Sequence, residues 1–153
     1  MEQLPCRVLQ DGQFVAAEVI EIEAVSPGIF SAASSGSGVA AAVYLSVGSG
    51  GDRAQGVIFD ANLVPVPLDL GSAGSELYIF LFGTGLRNAS GEVTVTVDGV
   101  PVPFSGPVAQ GQFDGLDQLN IGPLPLSLAG RGEVDIVVTV DGRQANIVTA
   151  AFL

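Results

Sequence analysis

The chain has 153 residues, of which 48% are apolar and 14% charged, with a mean hydropathy of +0.52. That length suits one ordinary domain with a short extra piece, and the composition excludes disorder while implying that another chain or domain covers some apolar surface. Sixteen acidic residues stand against five arginines, with no lysine and no histidine, giving a formal charge of −11; such a field repels nucleic-acid phosphate and anionic membrane surfaces.

The opening Met1-Glu2-Gln3-Leu4-Pro5 has neither a basic nor an apolar leader region, so no signal peptide is visible in this chain. No stretch reaches the ~18 apolar residues of a membrane span. Cys6 is the single cysteine, which excludes an internal disulfide and a thiolate metal cage.

A strand is expected over 14–25, with Ile20, Ile22 and Ala24 on one face and Val19, Glu21, Glu23 and Val25 on the other. Asp11-Gly12 before it is a tight-turn signal, because Asp-Gly tolerates the positive φ of a type I′ hairpin. Val8-Leu9-Gln10-Asp11-Gly12-Gln13 matches Val138-Thr139-Val140-Asp141-Gly142-Arg143 in context. Residues 1–25 therefore read as a strand or hairpin extension resembling the end of a preceding repeat, and 26–153 as the main unit.

Further strands are expected over 39–47, 56–59, 76–82, 92–97, 100–104, 134–140 and 145–152, separated by Gly, Pro and Ser turn signals. In Val93-Thr94-Val95-Thr96-Val97 the valines share one face. In 134–140 the even positions form the buried side. Leu77-Tyr78-Ile79-Phe80-Leu81-Phe82 is apolar on both faces, as a central strand covered twice or covered once by a partner would be. Asp98-Gly99 and Asp141-Gly142 repeat the hairpin signal. One helical turn is expected within 123–130, ended by Gly130. The fold class is all-β: an immunoglobulin-like sandwich with an N-terminal extension.

Several phrases occur in order along the chain: Ser26-Pro27-Gly28-Ile29-Phe30, Phe82-Gly83-Thr84-Gly85-Leu86-Arg87, Gly115-Leu116-Asp117-Gln118-Leu119-Asn120, Leu124-Pro125-Leu126-Ser127-Leu128-Ala129-Gly130-Arg131-Gly132 and Val140-Asp141-Gly142-Arg143-Gln144-Ala145-Asn146. This series resembles the uncharacterised C-terminal domain of many secreted acidobacterial proteins, itself similar to IPT/TIG immunoglobulin-like domains, over about residues 25–153. The resemblance implies an extracellular or envelope-attached sandwich and carries over no catalytic residue. Gly122-Pro123 departs from the pattern by lengthening the segment before Leu124.

Without histidine, Ser-His-Asp and Cys-His catalysis and His-ligated metals are excluded; without lysine, so are a P-loop, a Schiff base and a Ser-Lys dyad. Gly83-Thr84-Gly85 lacks the following helix of a dinucleotide motif and reads as a glycine turn after a buried strand. Asp114 and Asp117 are the nearest carboxylate pair for a glycosidase, but a sugar platform is poorly supplied with only two tyrosines and no tryptophan. Asp114, Asp117 and Asn120 are the calcium candidates, against the alternative that they hold a turn by bonding backbone amides. Asn88-Ala89-Ser90 fits the glycosylation pattern, with a turn role for Asn88 as the competing reading.

The expected function is a non-catalytic extracellular module that binds copies of itself or neighbouring domains of secreted proteins. Its interface residues would be Val19, Ile20, Ile22 and Ala24 of the extension and Leu77, Ile79 and Leu81 of the apolar strand. A carbohydrate- or ligand-binding module using loops 31–41 or 109–120 is the alternative.

Overall fold

The computed structural model describes residues 2–153. In chain order the strands are β1 (Glu2–Gln10), β2 (Gln13–Ile22), β3 (Gly28–Ile29), β4 (Ala42–Val47), β5 (Arg53–Val57), β6 (Glu76–Thr84), β7 (Val93–Val97), β8 (Val100–Pro101), β9 (Phe104–Ala109), β10 (Asp117–Ile121), β11 (Gly132–Val140), β12 (Arg143–Gln144) and β13 (Val148–Phe152). A 3-10 turn at Leu126–Leu128 is the one helical element among the described residues, and Gly130 follows it at φ +76°. None of these elements is a helix long and apolar enough to cross a membrane.

Two antiparallel sheets face each other across the core. One has the order β5-β4-β6-β10-β9 with β3 also on β6; the other runs β12-β11-β7-β8 with β13 also on β11. The first contributes Leu77, Ile79, Leu81, Leu119 and Ile121 to the core, the second Val95, Val97, Ile136, Val138, Val148 and Phe152, all buried. Each such side chain contributes roughly 1.5–3 kcal/mol by leaving water. The body is thus all-β and sandwich-like. The third sheet, β1-β2, pairs only with itself.

The three Asp-Gly pairs form tight turns, because Asp accepts the left-handed region and Gly occupies it at no steric cost. Asp11 and Gly12 have φ 52° and 77°, Asp98 and Gly99 51° and 71°, Asp141 and Gly142 50° and 76°. They join Gln10 to Gln13, Val97 to Val100 and Val140 to Arg143 as paired residues.

Period-two patterning is realised on β7 and β11, where Val95, Val97 and the even positions of 134–140 are buried. Two expectations need correction. Residues 117–121 are strand β10 rather than part of a loop: Asp117 occupies an inward position where an apolar residue would have signalled the alternation. The other is an expected strand over 56–59, which lies at 53–57 as β5. Residues 2–10 form the first strand of a hairpin about Asp11-Gly12, although Pro5 and the mixed Gln3, Cys6 and Arg7 gave no periodic signal.

Candidate functional site

Hairpin β1-β2 is set apart by its exposure: every residue of both strands is solvent-exposed. Its register pairs Glu2 with Ile22, Leu4 with Ile20, Cys6 with Glu18 and Val8 with Ala16, so these eight residues share one face. Leu4, Val8, Ile20 and Ile22 make that face predominantly apolar. Val19 lies on the other face opposite Pro5. A register shift between Val8 and Leu9 bends the tip toward Asp11-Gly12. An isolated two-stranded hairpin is marginal in water, and this one leaves both faces uncovered.

The hairpin root, by contrast, is fixed. Arg143 Nη2 lies 3.0 Å from Glu23 Oε1. Val25 is buried, and Ser26 N donates to Gly85 O at 3.1 Å. The hairpin therefore leaves the end of the body that carries the Asp141-Gly142 turn.

Of the expected interface residues, Val19, Ile20, Ile22 and Ala24 are exposed. Leu77, Ile79 and Leu81 are not available to a partner: they are at most 1% exposed and pack into the chain's own core. The opposite face of β6, with Tyr78, Phe80 and Phe82, is the half-exposed one. Across the ladders it continues into Val43, Leu45 and Val47 of β4 and Val57 of β5. A doubly apolar strand has no sequence signal for which of its faces turns inward.

The calcium candidates do not converge. On β10, Asp117 points inward and Asn120 outward. The Asp117 carboxylate accepts from Leu86 N at 2.8 Å and Arg87 N at 3.3 Å through Oδ2, while Arg87 Nε stands 3.1 Å from Oδ1. That Arg87 contact is an ion pair not aligned as a hydrogen bond, so Oδ1 accepts none. Asn120 Oδ1 accepts from Gln118 Nε2 at 2.7 Å. Asp114 sits apart on an exposed turn. No cluster of three metal-ligating side chains occurs among the described residues.

Asp117 is instead a joint between β10 and the loop after β6, and the other phrases quoted above are joints as well. Asn146 accepts from Ile29 N at 2.8 Å and donates to Ile29 O and Gly36 O, both at 2.8 Å, tying β3 to the last turn. Gly83 and Gly85 let the 26–28 segment lie against β6: a Cβ on either would come within 2.2 Å of Gly28 O or Ser26 O. Gly85 also needs its φ of +68°, whereas Gly83 is required for close approach alone. Asp141 accepts from Ser90 N at 2.9 Å and Gly91 N at 2.7 Å, and these bonds, Ser90 N–H first, hold its carboxyl below the ordinary carboxylate value while partial burial opposes them.

A second surface feature is a groove of about 410 Å³ bounded by Phe30, Thr84, Phe113, Asp114 and Leu116. Phe113 is 69% exposed and Phe30 44%, so two aromatic rings stand in solvent there.

Comparison with protein-family models, curated proteins and solved structures finds no match to this chain.

Proposed function

We propose that this chain is a non-catalytic structural module that links to copies of itself outside the cell, with hairpin β1-β2 as the linking element. The supporting observation is the hairpin itself: nineteen strand residues, nine in β1 and ten in β2, carry an apolar face that none of the other described residues covers. Exposed backbone edges and apolar side chains together make a strand pair that another sheet can accept. A donor at one end of the body and an acceptor elsewhere gives a head-to-tail contact, which extends into a fibre or layer when its rotation does not close. The immunoglobulin-like, IPT/TIG-type reading of the body and its place at the cell exterior rest on the resemblance of residues 25–153.

Light scattering and negative-stain imaging of the full chain and of a truncation beginning at Val25 test this. Concentration-dependent polymers of the full chain, with a truncated chain that stays monomeric, support it. A full chain that is monomeric at all concentrations removes it.

The groove between Phe30 and Phe113 favours a second reading, a carbohydrate- or ligand-binding module, since exposed rings offer stacking platforms. Glycan-array binding lost on Phe113→Ala would establish it, and an unchanged blank array would dismiss it.

A further inference from the structure

Among the described residues β5 is the body's outer strand longer than two residues that has neither a proline nor an outward backbone bond, and we infer that it accepts β2 of a second copy. This rests on the reading of the hairpin as donor and adds where that donor goes.

The first body sheet ends in β5 and β9, and the second in β8 and in the two-residue β12, with β13 also on β11. At β9, Pro107 removes a backbone donor and the pairing with β10 slips between Gln118 and Asn120. At β8 the strand is two residues long and contains Pro101, with Pro103 just beyond. Strand β13 is already bonded: Ala40 N reaches Thr149 O at 3.0 Å, Thr149 N reaches Gly38 O at 2.8 Å, and Leu68 N reaches Ala151 O at 2.8 Å. These are the usual devices that protect a sheet edge. Strand β5 has no proline, no slip and no outward bond; only past its end does the chain turn back, with Val66 N on Ile58 O at 2.9 Å and Phe59 bridged to Pro65.

Its bonding alternation follows from its neighbours. Gly48 N donates to Asp52 O at 2.7 Å and Ile58 N to Ala42 O at 3.2 Å, in the same register that pairs Tyr44 with Gly56. Ala54 and Gly56 therefore turn their N–H and C=O toward β4, and Arg53, Gln55 and Val57 turn theirs outward. No backbone partner meets those outward groups among the described residues.

The side chains beside this edge are also incomplete. On the inner side the Tyr44 ring lies over Gly56, where a Cβ would be 3.0 Å from Cε1. Next to it is a cleft of about 250 Å³ between Tyr44, Val66, Leu68 and Leu153. Leu153 is exposed at this cleft, and Val57, Leu63 and Val64 are exposed on β5 and the loop that follows it. An added hairpin would lay Leu4, Val8, Ile20 and Ile22 over this apolar margin. Of its two strands β2 is the one free of proline, and it carries Glu18 and Glu21. Arg53, on β5, makes no ion pair among the described residues, whereas Arg87, Arg131 and Arg143 each make one.

A chain cannot fill its own β5. The root at Gly85 lies beyond the end of β6, while Val57 of β5 stands beside Val43, itself beside Phe80. That is two strand spacings, about 9.6 Å, across and five residues, about 17 Å, along. Residues 22–25 span at most about 10 Å, and Glu23 is held by Arg143. The donor must come from another copy.

Complementation in the full chain tests this. Gln55→Pro removes an outward donor of β5 and leaves the β4-β5 bonds in place; Ile20→Asp with Ile22→Asp spoils the donor face. Each variant alone is expected to be monomeric by light scattering. A one-to-one mixture is expected to form heterodimers, the intact hairpin of the first entering the intact edge of the second. Arg53→Glu, which leaves the backbone unchanged, is expected to weaken assembly about threefold. Assembly by Gln55→Pro alone, or a mixture without heterodimers, overturns β5 as acceptor and leaves the donor reading standing. Assembly by the Ile20/Ile22 variant contradicts the donor reading itself.

Discussion

Glu23 and Arg143 meet at 3.0 Å where the hairpin leaves the body, and this contact joins the N-terminal extension to the turn whose sequence it echoes. Both side chains are substantially exposed, 32% and 52%, so the pair adds little stability. Its effect is on direction. Arg143→Glu is expected to change the thermal midpoint by no more than about 2 °C while increasing the spread of hairpin orientations. Small-angle scattering of a non-assembling variant would read this as a larger mean dimension, and an unchanged scattering curve would show that the pair sets no orientation.

Asp117 supports the body from within. Its side chain is 2% exposed and serves two backbone amides as well as Arg87. Asp117→Ala leaves those donors and the cation without an acceptor and is expected to cost about 2–4 kcal/mol in urea unfolding. A calcium titration of the wild type should leave the unfolding midpoint where it was, because the carboxylate is already committed.

Gly83→Ala and Gly85→Ala are each expected to destabilise the body by about 3 kcal/mol or more, since the new methyl would stand 2.2 Å from a carbonyl oxygen of the 26–28 segment. Gly99→Ala, with open space around it and a positive φ alone to strain it, should cost less. A loss at Gly99 as large as that at Gly85, with little loss at Gly83, would show that the positive φ, not close packing, decides.

Asp141 gives a pH dependence. Its carboxyl is held below the ordinary aspartate value, chiefly by the Ser90 N–H. A depressed folded value means stabilisation that is present above the unfolded value and lost as pH falls through the folded one. The difference in stability between wild type and Asp141→Asn is therefore expected to be full at neutral pH and to shrink below about pH 4. Asp60, held down by the Val64 N–H, acts in the same direction. A difference that grows on acidification would reverse the assignment.

Turns and strand faces were readable from particular residues. Asp-Gly fixes both position and turn type through φ, and valine alternation shows which side of β7 and β11 is inward. Strand β10 escaped notice because its inward series begins with a carboxylate, whose amide partners at Leu86 and Arg87 lie thirty residues away in sequence. The proposed interface was half legible: Ile20 and Ile22 could be placed by alternation, but Leu77, Ile79 and Leu81 could not be told from Tyr78, Phe80 and Phe82. Edge β5 had no sequence signature at all. Its openness depends on what β8, β9 and β13 have and it lacks, which is a property of the assembled sheets.

Hydrogen exchange of the β2 amides as a function of protein concentration tests the central claim most directly. The account predicts slow exchange for residues 13–22 at high concentration and rapid exchange on dilution, because the isolated hairpin is marginal and only a second copy protects it. Exchange at the same rate across the whole concentration range, fast or slow, would contradict it.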